Sequence, residues 1–491
     1  MGCVRPTGLG GRRKAMRMSV RVKAGSSSAV DTERTSARRL LFIAILVGLG
    51  LRAVLLAVLG TSSSPVSEFG VMGANLSHGH GFTYFAAFPD QGVIPAADLG
   101  HGLLPAADVG YDRPTAFVGS PQPSAYMPPA YPAMAAAADA VTSTRSAEIR
   151  LLQVLNLGLF VVLAYMLFLL GRLLMGPEVG ALVALGGALY PGLIYMTTQV
   201  SASNLYLPAE CAMLVVAIRA VRRPTNRSLA AAAGALVGFV SLLRPEGIVL
   251  GGLIALMAVI AARRTGLTGL RALQTAAIVV LVAGVPVGLW LARNTHTFGK
   301  PTVGLTSQAG FVLWAGNHEG ATGSGKTLSH GRTGRAMEEA LFKKAVALPP
   351  GRSYELRRDS LFRQEAVSWI SHHPLKFIAG VFKKGALLAT FNPDDRRSLH
   401  PVNVLSWVAL VALAVAGLRN LRPRGPEWRL IAVYAVLSFL VPVFLVVLPR
   451  YRLPVDMMLF LPAAWFVAKH RWYEHVRRLL MPSMPTAASR H

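Results

Sequence analysis

Ten apolar runs, each long enough to cross a lipid bilayer, constrain this chain of 491 residues more than any other feature. A membrane-spanning helix needs about 20 mostly apolar residues to cross the hydrocarbon layer. The runs are 40–60, 149–171, 178–198, 204–221, 228–243, 246–262, 272–292, 402–418, 430–448 and 454–468. Because each backbone polar group in lipid must be satisfied internally, such runs predict helices. The predicted fold class is therefore an all-α polytopic membrane protein with about ten transmembrane helices, plus interfacial helices in two large outer loops. The interfacial segments predicted in the second of these loops are Leu356–Ile370, which is amphipathic, and Pro374–Phe391, which is apolar but contains lysines.

The composition agrees with a membrane protein and argues against a nucleic-acid partner. Charged residues make up 15% of the chain, against about 25% in soluble domains. The formal net charge of +27 could indicate nucleic-acid binding, but the basic residues lie in the two tails and in short loops between apolar runs. Anionic headgroups explain that placement, so membrane lipids are the predicted partners. The two cysteines, Cys3 and Cys211, lie far apart in sequence and predict neither a disulfide framework nor a metal cluster.

Charge alternation predicts the topology. Arginines concentrate in alternate short connections, and the positive-inside rule places these in the cytoplasm. They are Arg172, Arg219, Arg222, Arg223, Arg227, Arg263, Arg264, Arg271, Arg419, Arg422, Arg424 and Arg429. We expect three parts: a basic tail over 1–39, a transmembrane domain over 40–468, and a second basic tail over 469–491. Both termini would be cytoplasmic, and the large loops 61–148 and 293–401 would lie outside. Alanine- and arginine-rich usage favours a bacterial plasma membrane.

Three local motifs are interpreted as loop features. Residues 320–327 fit the phosphate-loop pattern, but that pattern needs an entering strand and a following helix, and the next residues are poor helix formers. The predicted outside location also separates it from cytoplasmic nucleotide, so no nucleotide is expected. The ten-residue repeat over 92–111 is interpreted as a local duplication. His78 and His80 flank a glycine without further ligands nearby, which favours a polar turn over a metal site. No metal or cofactor is predicted.

Charged groups collect at the predicted outer ends of the helices. They are Glu68 after the first run, Arg244-Pro-Glu246, Arg293-Asn294 and Arg450-Tyr-Arg452. Arginines at an interface can merely extend their charged ends to water. Four groups on the face opposite to the positive-inside bias nevertheless favour a functional site. Arg52, inside the first run, has two interpretations. One is structural, with the charged end either extended to the interface or paired within the bundle, and the other is a contact with phosphate.

The chemistry of this set matches transfer from a lipid-borne phosphate. Guanidinium groups bind phosphate oxygens in a fork geometry, and a carboxylate can remove a proton from an incoming hydroxyl or amine. Glu68 is the predicted base, with Asp112 or Glu246 as the next candidates. The predicted donor-phosphate ligands are Arg244, Arg293, Arg450 and Arg452. Possible substrate-binding residues are Tyr126, Tyr131, Glu246, Asn294, Asn317 and Tyr451.

Several motifs in order along the chain resemble those of the GT-C membrane glycosyltransferases. The resemblance is to bacterial relatives of the protein O-mannosyltransferases and of the lipid A aminoarabinose transferase. The motifs are Glu68 with Ala74-Asn-Leu-Ser-His-Gly-His-Gly-Phe82, Pro123-Ser-Ala-Tyr-Met-Pro-Pro-Ala-Tyr-Pro132, Leu243-Arg-Pro-Glu246, Ala292-Arg-Asn294 with Phe298-Gly299, Leu313-Trp-Ala-Gly-Asn317 with Ala321-Thr-Gly323, His373-Pro-Leu-Lys-Phe377, and Arg450-Tyr-Arg-Leu-Pro454. Their placement covers most of the chain.

This resemblance implies a polyprenyl-phosphate-linked sugar as donor and inverting transfer to an outer acceptor, which could be a glycan, a lipid or a protein. It also implies that the first-loop carboxylate, Glu68, is the base. Two departures matter: Ser67 replaces one member of an acidic pair, and Ser201-Ala-Ser-Asn204 lacks an acidic residue often found there. If a second carboxylate is required, the chain would be slow, unusual in substrate or inactive. A transporter is the main alternative, although paired broken-helix repeats are lacking. A non-catalytic scaffold is the third.

Overall fold

Helices account for nearly all the regular structure of this protein, as a computed structural model shows. The model describes residues 25–60, 68–84, 122–325, 331–349, 351–393, 398–423 and 425–470. The helices are α1 (Gly25–Leu59), α2 (Glu68–Ser77), α3 (Ala130–Asp139), α4 (Arg145–Met175), α5 (Pro177–Leu189), α6 (Pro191–Met196), α7 (Ser203–Arg222), α8 (Arg227–Ser241), α9 (Gly247–Arg264), α10 (Gly269–Phe298), α11 (Ala309–Gly316), α12 (Gly331–Val346), α13 (Tyr354–His372), α14 (Pro374–Ala389), α15 (Pro401–Asn420), α16 (Pro426–Phe444) and α17 (Leu453–Lys469). Two short strands, β1 (Thr83–Tyr84) and β2 (Gln122–Pro123), pair antiparallel. The predicted all-α class is confirmed.

Every predicted membrane-spanning run falls on a helix. Within the described part of the chain, seven helices are long and apolar enough to cross a bilayer: α1 from Arg34 onward, α4, α7, α9, α10, α15 and α16. The other three predicted runs fall on the shorter helices α5 with α6, α8 and α17. The end of the predicted run 430–448 is not helical, because α16 ends at Phe444. The chain is therefore a multi-pass membrane protein by the length and composition of its helices.

Local sequence signals set several helix ends. The side chains of Thr144, Asn226 and Thr268 accept hydrogen bonds from the first turns of α4, α8 and α10. Such caps satisfy amide groups that have no partner inside the helix. Gly299 ends α10 in the left-handed conformation, with φ of 64°, which glycine adopts at no steric cost. The apolar runs thus predict where the helices lie, and the capping residues mark where several of them begin or end.

Arg52 is bonded within the bundle, at the break between α5 and α6. Pro191 has no amide hydrogen and starts a new helix, so the last carbonyl groups of α5 lack their usual partners. The Arg52 guanidinium donates to the carbonyl oxygens of Ala188 (2.9 Å) and Gly187 (3.4 Å), and to Thr197 Oγ1 (3.1 Å). Of the two interpretations of Arg52, these contacts support the intramolecular one.

The helices of the main bundle bury one large apolar core, mostly from α4, α5, α7, α8, α9 and α17. A second, smaller core joins α11 to α13 through Phe311, Trp314 and Phe362. The predicted interfacial segments form α13 and α14, and α14 exposes Leu375 and Phe382 (80% and 74%). This arrangement brings the turn between α8 and α9 next to the 3-10 turn Pro449–Arg452, called here the Arg450 turn.

Some sequence features lie outside the described residues. They are the two tails up to residue 24 and from 471, the repeat over 92–111, Asp112, and the end of the phosphate-loop pattern at Lys326 and Thr327. In the described part of that pattern, up to Gly325, the element that leads into the loop is helix α11, and no strand stands between α11 and the loop. Its Ser324 forms an isolated bridge with Val447.

Candidate active site

An open cleft lies where α7, α9 and α16 meet the Arg450 turn. Its polar lining comes from Tyr206, Arg244, Glu246, Ser438 and Tyr451. Apolar side chains form the rest of the wall: Val249, Leu250, Leu437, Val441, Pro442 and Pro454. Three residues predicted from sequence, Arg244, Glu246 and Tyr451, are therefore brought together. The lining combines a cation, a carboxylate and an apolar surface, which suits an amphiphilic anion.

Arg244 is held between two aromatic rings at the mouth of this cleft. Its guanidinium carbon lies 4.7 Å from the ring centre of Tyr206 and 5.3 Å from that of Tyr451. Its Nη2 donates to Ser203 Oγ at 2.7 Å. These contacts fix the plane of the group. Ser203 lies in the segment where the resembling family often has an acidic residue, so here the arginine meets a neutral hydroxyl. The carboxyl groups in its neighbourhood are those of Glu210 and Glu246.

Glu68 and Arg450 form the second part of the site. Glu68 is the first residue of α2 and is half-buried. Burial raises the pKa of its carboxyl group, while a bond to its own backbone amide and the nearby positive charge of Arg450 oppose that rise. Arg450 is exposed, with its guanidinium carbon 5.6 Å from the ring centre of Tyr451. Arg450 therefore connects the predicted base with the cleft. A carboxylate of raised pKa is also a stronger proton acceptor.

Arg452, in the same turn, is bonded to the protein scaffold. Its Nε donates to Asp456 Oδ2 (3.2 Å) and its Nη1 donates to the carbonyl of Thr390 (2.6 Å). The guanidinium also lies 5.0 Å from the ring centre of Trp407. Asp456 is buried and accepts a second bond from Tyr190 Oη (2.7 Å). These contacts fasten the Arg450 turn to α14 and α17.

Arg293 is also bonded to backbone, and it joins the two large loops. Its Nη1 donates to the carbonyl of Ser124 (2.7 Å) and its Nη2 to that of Phe82 (2.8 Å). The adjoining Asn294 is fully buried and accepts from Arg293 Nη1 at 3.0 Å. Ser124 in turn donates to Glu355 Oε1 (2.5 Å). Arg293 and Asn294 thus hold the strand pair β1–β2 against α10 and α13.

The other predicted substrate-binding residues are packed in the loops and do not line the cleft. Tyr126 is buried and stacks on Tyr84, with ring centres 5.0 Å apart. Tyr131 is fully buried and meets the ring of Phe69 edge-on at 5.1 Å. Asn317 is buried and is bonded on both ends of its amide group. These contacts give the three residues packing roles around the site.

Sequence reasoning missed Tyr206 and Glu210. Glu210 is fully buried inside α7, and its Oε1 accepts from the hydroxyl of Tyr206 at 2.5 Å. The hydroxyl of Tyr434 lies beside the same carboxyl group but makes no hydrogen bond of normal geometry. A carboxylate within an apolar span is a signal that could have found this group. It was counted as part of the run 204–221.

Among the described residues, no three His, Cys, Asp or Glu side chains lie close enough together to hold a metal ion. His78 takes part in a polar turn, as its sequence context predicted. Its Nδ1 lies 2.8 Å from the carbonyl of Ala74 and 3.4 Å from Asp139 Oδ2. Ser77 also donates to Asp139. These bonds tie the end of α2 to the end of α3.

Comparison with known proteins finds a family model that matches part of the sequence and solved structures with a similar fold. Residues 126–290 match the family model described as dolichyl-phosphate-mannose-protein mannosyltransferase. The apo oligosaccharyltransferase of Archaeoglobus fulgidus superposes with a TM-score of 0.52 at 13% identity, over 90% of this chain. The same archaeal enzyme, AglB, in complex with an inhibitory peptide and a dolichol-phosphate gives 0.51 at 12% identity over 92% of this chain. The chain therefore shares the overall fold of these archaeal chains. The resemblance inferred from the sequence motifs is confirmed.

This chain is much shorter than those solved structures. It spans 52% of the length of each of the two archaeal chains. No curated protein matches it in sequence. The family match covers α3 to α9 and most of α10. It includes Arg244, in the turn between α8 and α9, but neither Glu68 nor the Arg450 turn.

Proposed function

We propose that this GT-C chain is a membrane glycosyltransferase that moves a sugar from a polyprenyl-phosphate donor to an acceptor on the outer side of the plasma membrane. The observation that carries the proposal is a half-buried carboxylate, Glu68, at the start of α2 and within electrostatic reach of the Arg450 guanidinium. Tyr451 links Arg450 to Arg244 in the cleft. A base and two phosphate-binding cations thus share one end of the bundle.

The cleft supplies a binding site for the donor. Arg244 and Arg450 are the proposed ligands of the donor phosphate, because guanidinium groups stay charged and match phosphate oxygens. The apolar wall formed by Leu250, Leu437 and Val441 provides a surface for the polyprenyl chain. The family match and the dolichol-phosphate complex of AglB support a lipid-phosphate donor of this general class. The acceptor could be a glycan, a lipid or a protein.

The chemical step proposed is a single displacement. Glu68 accepts a proton from the acceptor hydroxyl or amine, and the acceptor atom forms a bond to the anomeric carbon of the sugar. The bond from that carbon to the phosphate oxygen breaks, and the electron pair leaves with the polyprenyl phosphate. Attack from the face opposite to the leaving group inverts the anomeric centre. Arg244 and Arg450 would stabilise the charge that develops on the departing phosphate.

Arg293 and Arg452 act in this proposal as positioning residues. Both were predicted as phosphate ligands, and both donate to backbone carbonyls of the scaffold. Arg452 fixes the Arg450 turn from one side. Arg293 fixes the first loop, in which Glu68 begins α2. Asn294 supports Arg293, and Glu246 remains available in the cleft to bind a sugar hydroxyl.

Release of polyprenyl phosphate tests the proposal. Purified protein in detergent or nanodiscs would be incubated with a panel of radiolabelled polyprenyl-phosphate sugars and a cell-envelope extract as acceptor. We expect release of polyprenyl phosphate that depends on the extract and is lost when Glu68 is replaced by Gln. A transporter would instead move the labelled lipid across proteoliposomes without cleaving it. Flux without cleavage would overturn the proposal in favour of the transporter.

A further inference from the structure

We infer that Lys384 is a positioning residue for the donor site, in that its side-chain ammonium group fixes the segment that leads into the Arg450 turn. The inference rests on the proposed function, since it assigns to the second large loop a part in donor binding. Lys384 lies on α14, and neither the sequence motifs nor the family match points to it.

The Lys384 side chain ends in a cradle of three oxygen atoms. Its Nζ donates to Asn317 Oδ1 (2.7 Å), to the carbonyl of Leu445 (3.0 Å) and to the carbonyl of Gly316 (3.2 Å). The residue is only 1% exposed. A buried ammonium group is tolerated when each of its three N–H groups has an acceptor, and this cradle supplies all three. The three acceptors belong to two segments, the end of α11 and the residues that follow α16.

The close approach of these segments depends on glycine. A Cβ atom at Gly316 would lie 1.6 Å from the carbonyl oxygen of Leu445. A Cβ atom at Gly323, whose φ is +82°, would lie 2.6 Å from Cγ of Lys384. Both distances are far below any normal contact, so a larger residue at either position would open the cradle. The motifs Gly316-Asn317 and Ala321-Thr-Gly323 therefore have a physical role: they build the socket for Lys384.

The fixed segment continues directly into the donor site. Asn317 Nδ2 donates to the carbonyl of Phe444 at 3.0 Å, one residue before the Leu445 carbonyl that Lys384 binds. The Val447 amide donates to the carbonyl of Gly323 (2.9 Å), and the Gly325 amide donates to the carbonyl of Val447 (3.1 Å). The Arg450 turn begins two residues later. Loss of the ammonium group would release the start of this segment, and Arg450 would no longer be held in one place beside Glu68 and the cleft.

The charge state of Lys384 gives the inference a pH signature. Burial lowers the pKa of its ammonium group to about 8. Below that pH the group has three N–H donors for three acceptors, and above it the neutral amine has two. The titratable groups on the segments around it are His318 and Glu319 after α11, and Lys376 and Lys383 on α14. Glu319 pairs with Lys376, and the last turn of α16 contains no titratable residue.

The test compares Lys384→Met with the neighbouring Lys383→Met, whose side chain is exposed. Donor KM, kcat and polyprenyl-phosphate binding would be measured for both variants in nanodiscs. We expect Lys384→Met to raise the donor KM and the Kd for polyprenyl phosphate by about tenfold, as expected for the loss of a charged hydrogen-bond donor, with kcat changed less. Lys383→Met should match the wild type. A folded Lys384→Met protein with wild-type donor KM and Kd would overturn the inference.

A second measurement on the unmodified protein covers the case in which Lys384→Met does not fold. Affinity for a polyprenyl-phosphate sugar should fall as the pH rises through about 8, although the phosphodiester of that donor does not titrate there. Titration of Lys384 cannot cause such a fall by promoting unfolding. The folded pKa lies below the unfolded value, so the unfolded chain binds more protons between the two, and this group favours folding more as pH rises. A flat affinity across this range would overturn the inference.

Failure of the inference can be told apart from failure of the proposed function. If the wild type binds polyprenyl phosphate but never cleaves a donor, the function proposed above fails, and the binding comparison still decides the role of Lys384. If the wild type cleaves donors and Lys384→Met does so with unchanged donor KM, only the inference fails. If the wild type neither binds polyprenyl phosphate nor cleaves a donor, both are overturned.

Discussion

Glu68 is the residue on which the proposed chemistry depends most directly. Glu68→Gln keeps the size and hydrogen-bonding capacity of the side chain but removes the base. Because proton abstraction by a placed carboxylate contributes typically 10²–10⁴-fold, single-turnover rates should fall by about that factor. Donor affinity should change little, since the phosphate contacts lie on Arg244 and Arg450. Glu246→Gln serves as the comparison: near-normal turnover in Glu68→Gln with a large loss in Glu246→Gln would move the role of base to Glu246.

The raised pKa of Glu68 predicts the shape of the acidic limb of the pH–rate profile. Glu68 acts as a base only when it is deprotonated, and burial raises its folded pKa above the ordinary value. Activity should therefore be present at high pH and be lost as pH falls through that raised pKa. Removing the opposing charge with Arg450→Gln should move this limb to higher pH, because the positive charge of Arg450 favours the ionised carboxylate. A limb that stays in place in Arg450→Gln would argue against their proximity.

The four predicted phosphate-binding arginines should separate into two pairs. Arg244→Ala and Arg450→Ala should each weaken donor binding by roughly ten- to a hundredfold, the effect of losing one charge-assisted contact. Arg293→Ala and Arg452→Ala should mainly lower thermal stability. The first leaves part-buried carbonyl groups without donors, and the second leaves the buried carboxylate of Asp456 without its cation. Melting temperature and donor Kd on the same four proteins check this. Equal losses of affinity at constant stability in all four would favour direct phosphate contact by each.

At the level of helices, all ten predicted apolar runs fall on helical structure, and seven of the described helices are long and apolar enough to cross a bilayer. The break within 178–198 was not foreseen, although Pro191 was visible. A proline can kink a continuous helix or start a new one, and the choice depends on whether a donor such as Arg52 satisfies the exposed carbonyls. Partners of this kind come from distant parts of the chain. For the same reason the sequence grouped Arg293 and Arg452 with Arg244, whereas their acceptors lie in other loops and helices.

The contact between α11 and the end of α16 gives a prediction about packing. Gly316→Ala places a methyl group where the Leu445 carbonyl lies, and forcing atoms into such a contact costs typically 1–3 kcal/mol. The variant should melt at lower temperature and bind donor more weakly, because the segment before Arg450 must move. Gly380→Ala on α14 is the control, since nothing lies within 4 Å of a Cβ atom there. Unchanged melting in Gly316→Ala would mean that this contact is looser than described.

For the whole molecule, the site has a function only if its end of the bundle faces the compartment that holds the acceptor. The charge alternation predicts this: arginine-rich connections such as 263–271 are cytoplasmic, whereas loops 61–148 and 293–401 are outside. Single cysteines in a chain with Cys3 and Cys211 replaced can test it in intact cells. An impermeant thiol reagent should label a cysteine at Ser120 without lysis and one at Thr265 only after lysis. Thr265 is exposed in the connection between α9 and α10, so labelling there should depend on the side of the membrane and little on burial. The reverse pattern would place Glu68, Arg244 and Arg450 on the cytoplasmic side, and an outer acceptor could then not reach them.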